Sequence, residues 1–165
     1  MKLEIEVSEL SDLWRELPDA EVLARRAIEA SCALADVELQ EGAEVGVQLA
    51  SDAQVRVLNR QWRDIDKPTN VLSFPAFSTA GLAIAPMLGD IVLAYETTRD
   101  EASAEGKTLS DHAAHLVVHG FLHLLGFDHA SDAEAENMEG LEARILATLG
   151  IADPYAPSSQ ADATR

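Results

Sequence analysis

The chain has 165 residues, of which 47% are hydrophobic, and it carries a formal net charge of -17. This content suits one globular domain with a real core, while the charge argues against a broad nucleic-acid-binding surface, because affinity for phosphates needs clustered Lys and Arg. A single cysteine, Cys32, excludes an internal disulfide, and no apolar run reaches transmembrane length. The first residues alternate charged and aliphatic side chains, unlike a signal peptide, so we expect a cytoplasmic protein.

The first half of the chain is predicted to contain three strands and two helices. Strand segments alternate along their length, which is the period of a half-buried strand, whereas helical segments repeat apolar residues every three or four positions. Ser51 and Gln54 have the spacing of a capping box, which predicts the start of the second helix. In chain order, the predicted elements are a strand over 3–7, a helix over 18–35, a strand over 45–49, a helix from 51 to before Pro68 and a strand over 70–74.

The second half is predicted to contain a fourth strand and three helices. The helix opened by the second capping box, at Thr108, is apolar on all sides apart from its histidines, so we expect it to be central and buried. The elements are a loop over 75–87, a strand over 88–95, a polar helix to about 106, a helix over 108–125 and a last helix over 131–150. They predict an α+β domain over 1–152, with a mixed four-stranded sheet packed against about five helices, followed by a disordered tail over 153–165.

The five histidines of the chain all lie between residues 112 and 129. The period of a helix places His119 and His123 on one face, one turn apart. Gly126 allows the chain to turn back, so that His129 approaches the same point from outside the helix. Three neutral nitrogen donors with a fourth position open are typical of a catalytic zinc site. The sequence therefore predicts one zinc ion per chain on a central metal-binding helix, and it indicates a hydrolase, since zinc lowers the pKa of bound water to roughly 7.

Two neighbouring features suggest further functional residues. His115 lies one turn before His119 on the same helical face, where it could move a proton or hold a phosphate, or could instead be a polar residue at the mouth of the cleft. Four of the chain's twelve basic residues fall within twelve positions of the second predicted helix and the segment after it. They are Arg56, Arg60, Arg63 and Lys67. Charge alone would make this segment an ordinary solvated helix face, because two aspartates partly neutralise it.

The histidine spacing also resembles that of the metzincin metallopeptidases, which share the pattern His-x-x-x-His-x-x-Gly-x-x-His. Those enzymes carry a Glu after the first histidine as general base, whereas this chain has Gly120 there. The resemblance supports the metal and weakens the peptidase. A zinc peptidase would need a carboxylate from elsewhere in the chain.

Four segments, in their order along the chain, resemble the YbeY family of bacterial endoribonucleases. They are 58–63, the segment DKPTNVLSFP over 66–75, LGDI over 88–91 and HLVVHGFLHLLGFDH over 115–129, and the resemblance covers about residues 40–150. It implies a zinc-dependent, single-strand-specific endoribonuclease that acts in 3′-end maturation of 16S ribosomal RNA and in ribosome quality control. It further implies that His119, His123 and His129 bind the metal and that Arg63 is the basic residue associated with activity. His115 is then a second catalytic candidate, and Arg60 and Lys67 are candidate RNA contacts.

The expected partners are single-stranded or ribosomal RNA, the small ribosomal subunit and its assembly factors, without membrane or DNA. The high negative charge suggests that RNA docks only in a cleft, or that a protein partner on the ribosome presents it. A non-catalytic assembly factor with a structural zinc is the remaining alternative, although an open coordination position argues against it.

Overall fold

The computed structural model describes residues 2–156. Within that range the chain forms four strands, five α-helices and two short 3₁₀ helices. The strands are β1 (Glu4–Glu9), β2 (Glu44–Ala50), β3 (Val71–Pro75) and β4 (Met87–Ala94). The α-helices are α1 (Ala20–Leu34), α2 (Asp52–Arg63), α3 (Tyr95–Ala104), α4 (Leu109–Leu124) and α5 (Asp132–Thr148), and the 3₁₀ helices span Asp12–Glu16 and Thr79–Ile84. The predicted α+β fold is confirmed.

The strands form one mixed sheet in the order β1-β2-β4-β3. β1, β2 and β4 are parallel, and β3 runs antiparallel to β4 at one edge. In the β3–β4 register, Ser73 lies opposite Ile91 and Phe74 lies opposite Asp90. Successive side chains of a strand point to opposite faces, so the first pair faces one side of the sheet and the second pair faces the other. The edge strand β3 therefore presents residues to both faces.

The main core lies between one face of the sheet and helices α1, α4 and α5. The central position predicted for α4 is confirmed, since Val118, Phe121 and Leu122 have no exposed surface. A smaller cluster on the other face joins α2 to the sheet through residues that include Val55 and Leu72. Within residues 2–156, no helix has the length and apolar content needed to cross a membrane.

Side-chain caps begin three helices where the sequence predicts them. Ser51 Oγ accepts a hydrogen bond from the Gln54 backbone N–H, and the Gln54 side chain accepts one in return from the Ser51 N–H. Thr108 and Ser131 each accept a hydrogen bond from the backbone N–H three positions later, at the starts of α4 and α5. These bonds satisfy backbone donors that the first turn of a helix leaves unpaired.

The segment over 75–87 is more ordered than the predicted surface loop. It contains the 3₁₀ helix Thr79–Ile84, which forms because Leu82 is apolar and packs into the main core with 2% of its surface exposed. The predicted disordered tail over 153–165 lies mostly outside the described residues. Its described part includes Tyr155, whose side chain contacts α5 and α4.

We expect Gly120→Ala to lower the free energy of unfolding, because Gly120 lets α4 pack closely on β3 and β4. A methyl group there would lie 2.8 Å from Ile91 Cγ2 and 3.2 Å from Ser73 Oγ. The overpacking should cost about 1–3 kcal/mol, although alanine is the better helix former. The control is Gly140→Ala in α5, where the nearest atom is Arg144 Nη1 at 3.8 Å and stability should rise by roughly 0.5–1 kcal/mol. Urea unfolding measures both changes, and equal effects would contradict the close packing.

Candidate metal centre and active-site groove

Three histidines from two parts of the chain meet at one point. His119 and His123 lie one turn apart on α4, and the chain then turns at Gly126, whose φ of +98° lies in the left-handed region. This turn brings back His129, so that one ligand nitrogen from each histidine lies within 4.8 Å of the others. The Asp128 carboxylate accepts a hydrogen bond from the His129 backbone N–H at 2.7 Å, which is a turn contact rather than support for an imidazole.

The donor set of this cluster fits a metal ion. His119 Nε2 and His123 Nε2 lie 3.0 Å apart, which is near the separation of about 3.3 Å that two nitrogens have around a tetrahedral zinc. Burial lowers the pKa of His123, and the neighbouring His119 and His129 lower it further. A lowered pKa favours the neutral imidazole, which is the form that binds a metal. The three histidines could therefore hold a metal ion.

A buried carboxylate on α5 supports the cluster from behind. Glu142 is fully buried, and its Oε2 lies 2.8 Å from His119 Nδ1. Its Oε1 accepts a hydrogen bond from the Tyr155 hydroxyl at 2.6 Å and lies 2.8 Å from His115 Nε2. Burial alone would raise the pKa of Glu142, but the bonds from His115, His119 and Tyr155 outweigh burial and lower the pKa to about 2. Partial burial of Tyr155 and its hydrogen bond to Glu142 raise the pKa of the Tyr155 hydroxyl.

The ionised carboxylate of Glu142 determines which nitrogen of His119 faces the cluster. An ionised carboxylate only accepts hydrogen bonds, so His119 Nδ1 must carry the proton. Its Nε2 lone pair is then free to point toward His123 and His129. Carboxylate partners of this kind orient metal-binding imidazoles and raise their basicity.

The sequence predictions missed Glu142 and Tyr155. A signal for Glu142 was present, because it lies four positions after the buried Met138 and so falls on the apolar stripe of α5. A carboxylate on a buried stripe needs a partner. Tyr155 carried no such signal, since it falls in a segment without apolar periodicity.

An open groove of about 520 Å³ lies beside the cluster. It is lined by the three histidines, by residues of β3 and by Arg63 from the last turn of α2. Arg63 Nη2 donates a hydrogen bond to the Ser73 carbonyl oxygen at 2.8 Å, and its Cζ lies 5.6 Å from the centre of the Phe74 ring. The fold thus brings Arg63 and the histidine cluster, which are far apart in sequence, to one groove.

His115 lies behind the cluster rather than in this groove. Its ring centre is 6.4 Å from that of His119, and its Nε2 is bonded to Glu142 and lies 3.2 Å from the Tyr155 hydroxyl. Its side chain is 13% exposed, into a separate cleft. These contacts give His115 the geometry of a residue that positions Glu142.

The remaining basic residues of the α2 segment lie apart from the groove lining. Arg60 and Lys67 are both exposed. Arg56 is paired with Asp66 at 2.8 Å, which lowers the pKa of that carboxyl. Of the four basic residues, Arg63 is the one that lines the groove.

Comparisons with known proteins show the family of this chain. The family model described as Endoribonuclease YbeY matches residues 12–150. The Endoribonuclease YbeY of Rhodopseudomonas palustris (strain BisA53) is 54% identical over 163 residues, covering 97% of this chain and 94% of that protein. The Endoribonuclease YbeY of Azorhizobium caulinodans is 54% identical over 154 residues, covering 93% of this chain and 97% of that protein.

A solved structure is similar in fold. It is the solution structure of TM1509 from Thermotoga maritima, with a TM-score of 0.52 and 22% identity, covering 93% of this chain and 99% of that one. At this identity the likeness supports the α+β fold and says nothing of function.

We expect Glu142→Gln to weaken metal binding about 10- to 100-fold, which is the usual effect of removing a partner that orients a ligand. The amide lacks the charge and presents one acceptor oxygen in place of two. The control is Glu136→Gln, an exposed change on the same helix. Competition with a chromophoric chelator for zinc measures the affinity of each protein. Equal affinities in the two variants would mean that Glu142 serves only to join α5 to α4.

Proposed function

The chain belongs to the Endoribonuclease YbeY family, and from that premise we propose that it is a zinc-dependent, single-strand-specific endoribonuclease. The observation that carries the proposal is the shared groove, which has a potential metal centre on one side and an arginine on the other. Both features suit phosphodiester cleavage, because negative charge grows on the phosphoryl oxygens as the reaction proceeds and a metal ion or a guanidinium stabilises it. We assign the catalytic domain to residues 1–152, and Tyr155 joins it from the segment that follows through its hydrogen bond to Glu142.

In this proposal His119, His123 and His129 hold the zinc ion. When bound, zinc supplies Lewis acid chemistry toward a phosphoryl oxygen and makes bound water acidic enough to react near neutral pH. Glu142 keeps His119 in the tautomer that binds metal, and His115 and Tyr155 keep Glu142 in place. His115, a catalytic candidate in the sequence, is thereby assigned a positioning role.

Arg63 holds the scissile phosphate. One N–H of its guanidinium is bonded to the Ser73 carbonyl oxygen, which holds the group beside β3. The remaining N–H groups are free to bind two phosphate oxygens in the planar, two-bond contact that arginine makes and lysine cannot. Arg60 and Lys67, exposed on the same segment, would contact phosphates further along the strand.

The substrate we propose is the 3′ region of 16S ribosomal RNA, cut during maturation or quality control in the cytoplasm. A net charge of -17 disfavours free RNA, because few basic residues are available to release counterions from phosphates. The small ribosomal subunit or an assembly factor would therefore present the strand. An unpaired strand suits an open groove with a few polar contacts better than a rigid duplex does.

A peptidase is a weaker candidate. Gly120 occupies the position of the metzincin general base, and its close packing on Ile91 leaves no room for a glutamate. The nearby carboxylates are already engaged, Glu142 behind His119 and Asp128 with a backbone N–H. Zinc-loaded protein incubated with single-stranded RNA, structured RNA and casein tests the assignment. Cleavage of single-stranded RNA alone, abolished by a chelator, is expected, whereas cleavage of casein alone would overturn it.

We expect Arg63→Ala to lower kcat/KM for RNA by about 10²- to 10³-fold, the scale for losing one group that stabilises transition-state charge. Zinc content and melting temperature should stay nearly unchanged, because Arg63 is exposed. Arg63→Lys should recover little activity, since a point charge makes no planar two-bond contact.

The matched control is Arg144→Ala, which removes an exposed guanidinium from α5, outside the groove. It should leave cleavage unchanged. A parallel loss of activity and melting temperature in Arg63→Ala would indicate a structural residue instead.

A further inference from the structure

A second groove lies on the opposite face of the sheet edge and meets the first. Its volume is about 590 Å³, within the range of roughly 300–1,000 Å³ that is typical of small-molecule sites. Arg63, Ser73 and Pro75 line both grooves. An RNA strand with one phosphate at Arg63 can therefore extend around the edge of β3 from the first groove into the second.

One wall of the second groove is aromatic. Trp62 is 70% exposed although it is among the largest apolar side chains of the chain. Its ring meets Phe74 at a steep angle of 63°, with centroids 6.4 Å apart, so Phe74 is not stacked on the indole and at least one indole face is free of it. Exposed aromatic rings beside a phosphate-binding group are the usual platform on which single-stranded nucleic acids stack their bases.

Two polar side chains of the sheet, Gln48 and Asp90, also line the groove. Asp90 lies on the face of β4 that points away from the histidine cluster, above Gly46 of β2. A side chain at position 46 would collide with the Asp90 carboxylate, so Gly46 makes room for it. The carboxylate repels phosphate and attracts N–H groups. This part of the groove therefore suits a base of the RNA better than its phosphate backbone.

We propose that the second groove binds a nucleobase of the RNA, next to the phosphate held by Arg63, with the base stacked on Trp62 and its N–H groups donating to Asp90. The inference rests on the proposed function. It adds a base preference, because a carboxylate only accepts hydrogen bonds. Guanine presents two adjacent donors, N1–H and the N2 amino group, to its two oxygens, whereas uracil flanks its one N–H with two carbonyl oxygens that the carboxylate repels. Guanine is the preferred base and uracil the poorest.

Two readouts test the groove, and the first does not need cleavage. Trp14 is buried in the core, so quenching of tryptophan fluorescence by short oligoribonucleotides reports on Trp62. The zinc-loaded protein should bind an oligonucleotide with one guanosine among adenosines about tenfold more tightly than its uridine counterpart, with quenching. Sequencing of cleavage products should show the same preference beside the cut.

Three variants sharpen the test. Trp62→Ala should raise KM about tenfold with zinc content and melting temperature unchanged, and Trp62→Phe should restore most of the affinity. Asp90→Asn, which can both donate and accept, should remove the discrimination against uridine. An unchanged KM in Trp62→Ala together with an unchanged base preference in Asp90→Asn would overturn the base-binding proposal. Guanosine-selective quenching without any cleavage would instead overturn the endoribonuclease proposal and leave the base-binding proposal standing. The absence of both quenching and cleavage would overturn both proposals.

Discussion

The hydrogen bonds to one buried carboxylate, Glu142, orient His119 within the histidine cluster. An ionised carboxylate without exposed surface is costly unless its lone pairs are satisfied, and here His115, His119 and Tyr155 supply the donors. The donors come from α4 and from the segment after α5. The same bonds therefore align a ligand, join α5 to α4 and attach the segment that follows α5.

The position of β3 determines how the two grooves relate. As the edge strand it shows alternate side chains to opposite faces of the sheet, and Ser73 packs under α4 while Phe74 faces α2. Arg63 reaches across this edge from the end of α2. One residue thereby belongs to both faces, which is why a phosphate and the base beside it can occupy different sides of a thin sheet edge.

Much of the fold and the histidine cluster could be predicted from the sequence, because they depend on local rules. Caps at Ser51 and Thr108, the helical spacing of His119 and His123, and the turn at Gly126 each act within a few residues. The contact of Glu142 with His115 and His119 could not be predicted, because the apolar stripe of α5 does not reveal which helix it packs against. Nor could the antiparallel edge position of β3, because alternating hydrophobicity is the same in both strand orientations. That position also decides that Arg63, and not Arg60 or Lys67, lines the groove.

The bond from Arg63 to the Ser73 carbonyl oxygen has a consequence for solubility. An edge strand carries backbone groups that another chain can pair with, and charged side chains placed along the edge are one way in which proteins prevent such pairing. Arg63 occupies an acceptor on the open side of β3. The residue assigned to phosphate binding thus also blocks strand addition at this edge, so its loss would expose the protein to aggregation even where the fold keeps its full stability.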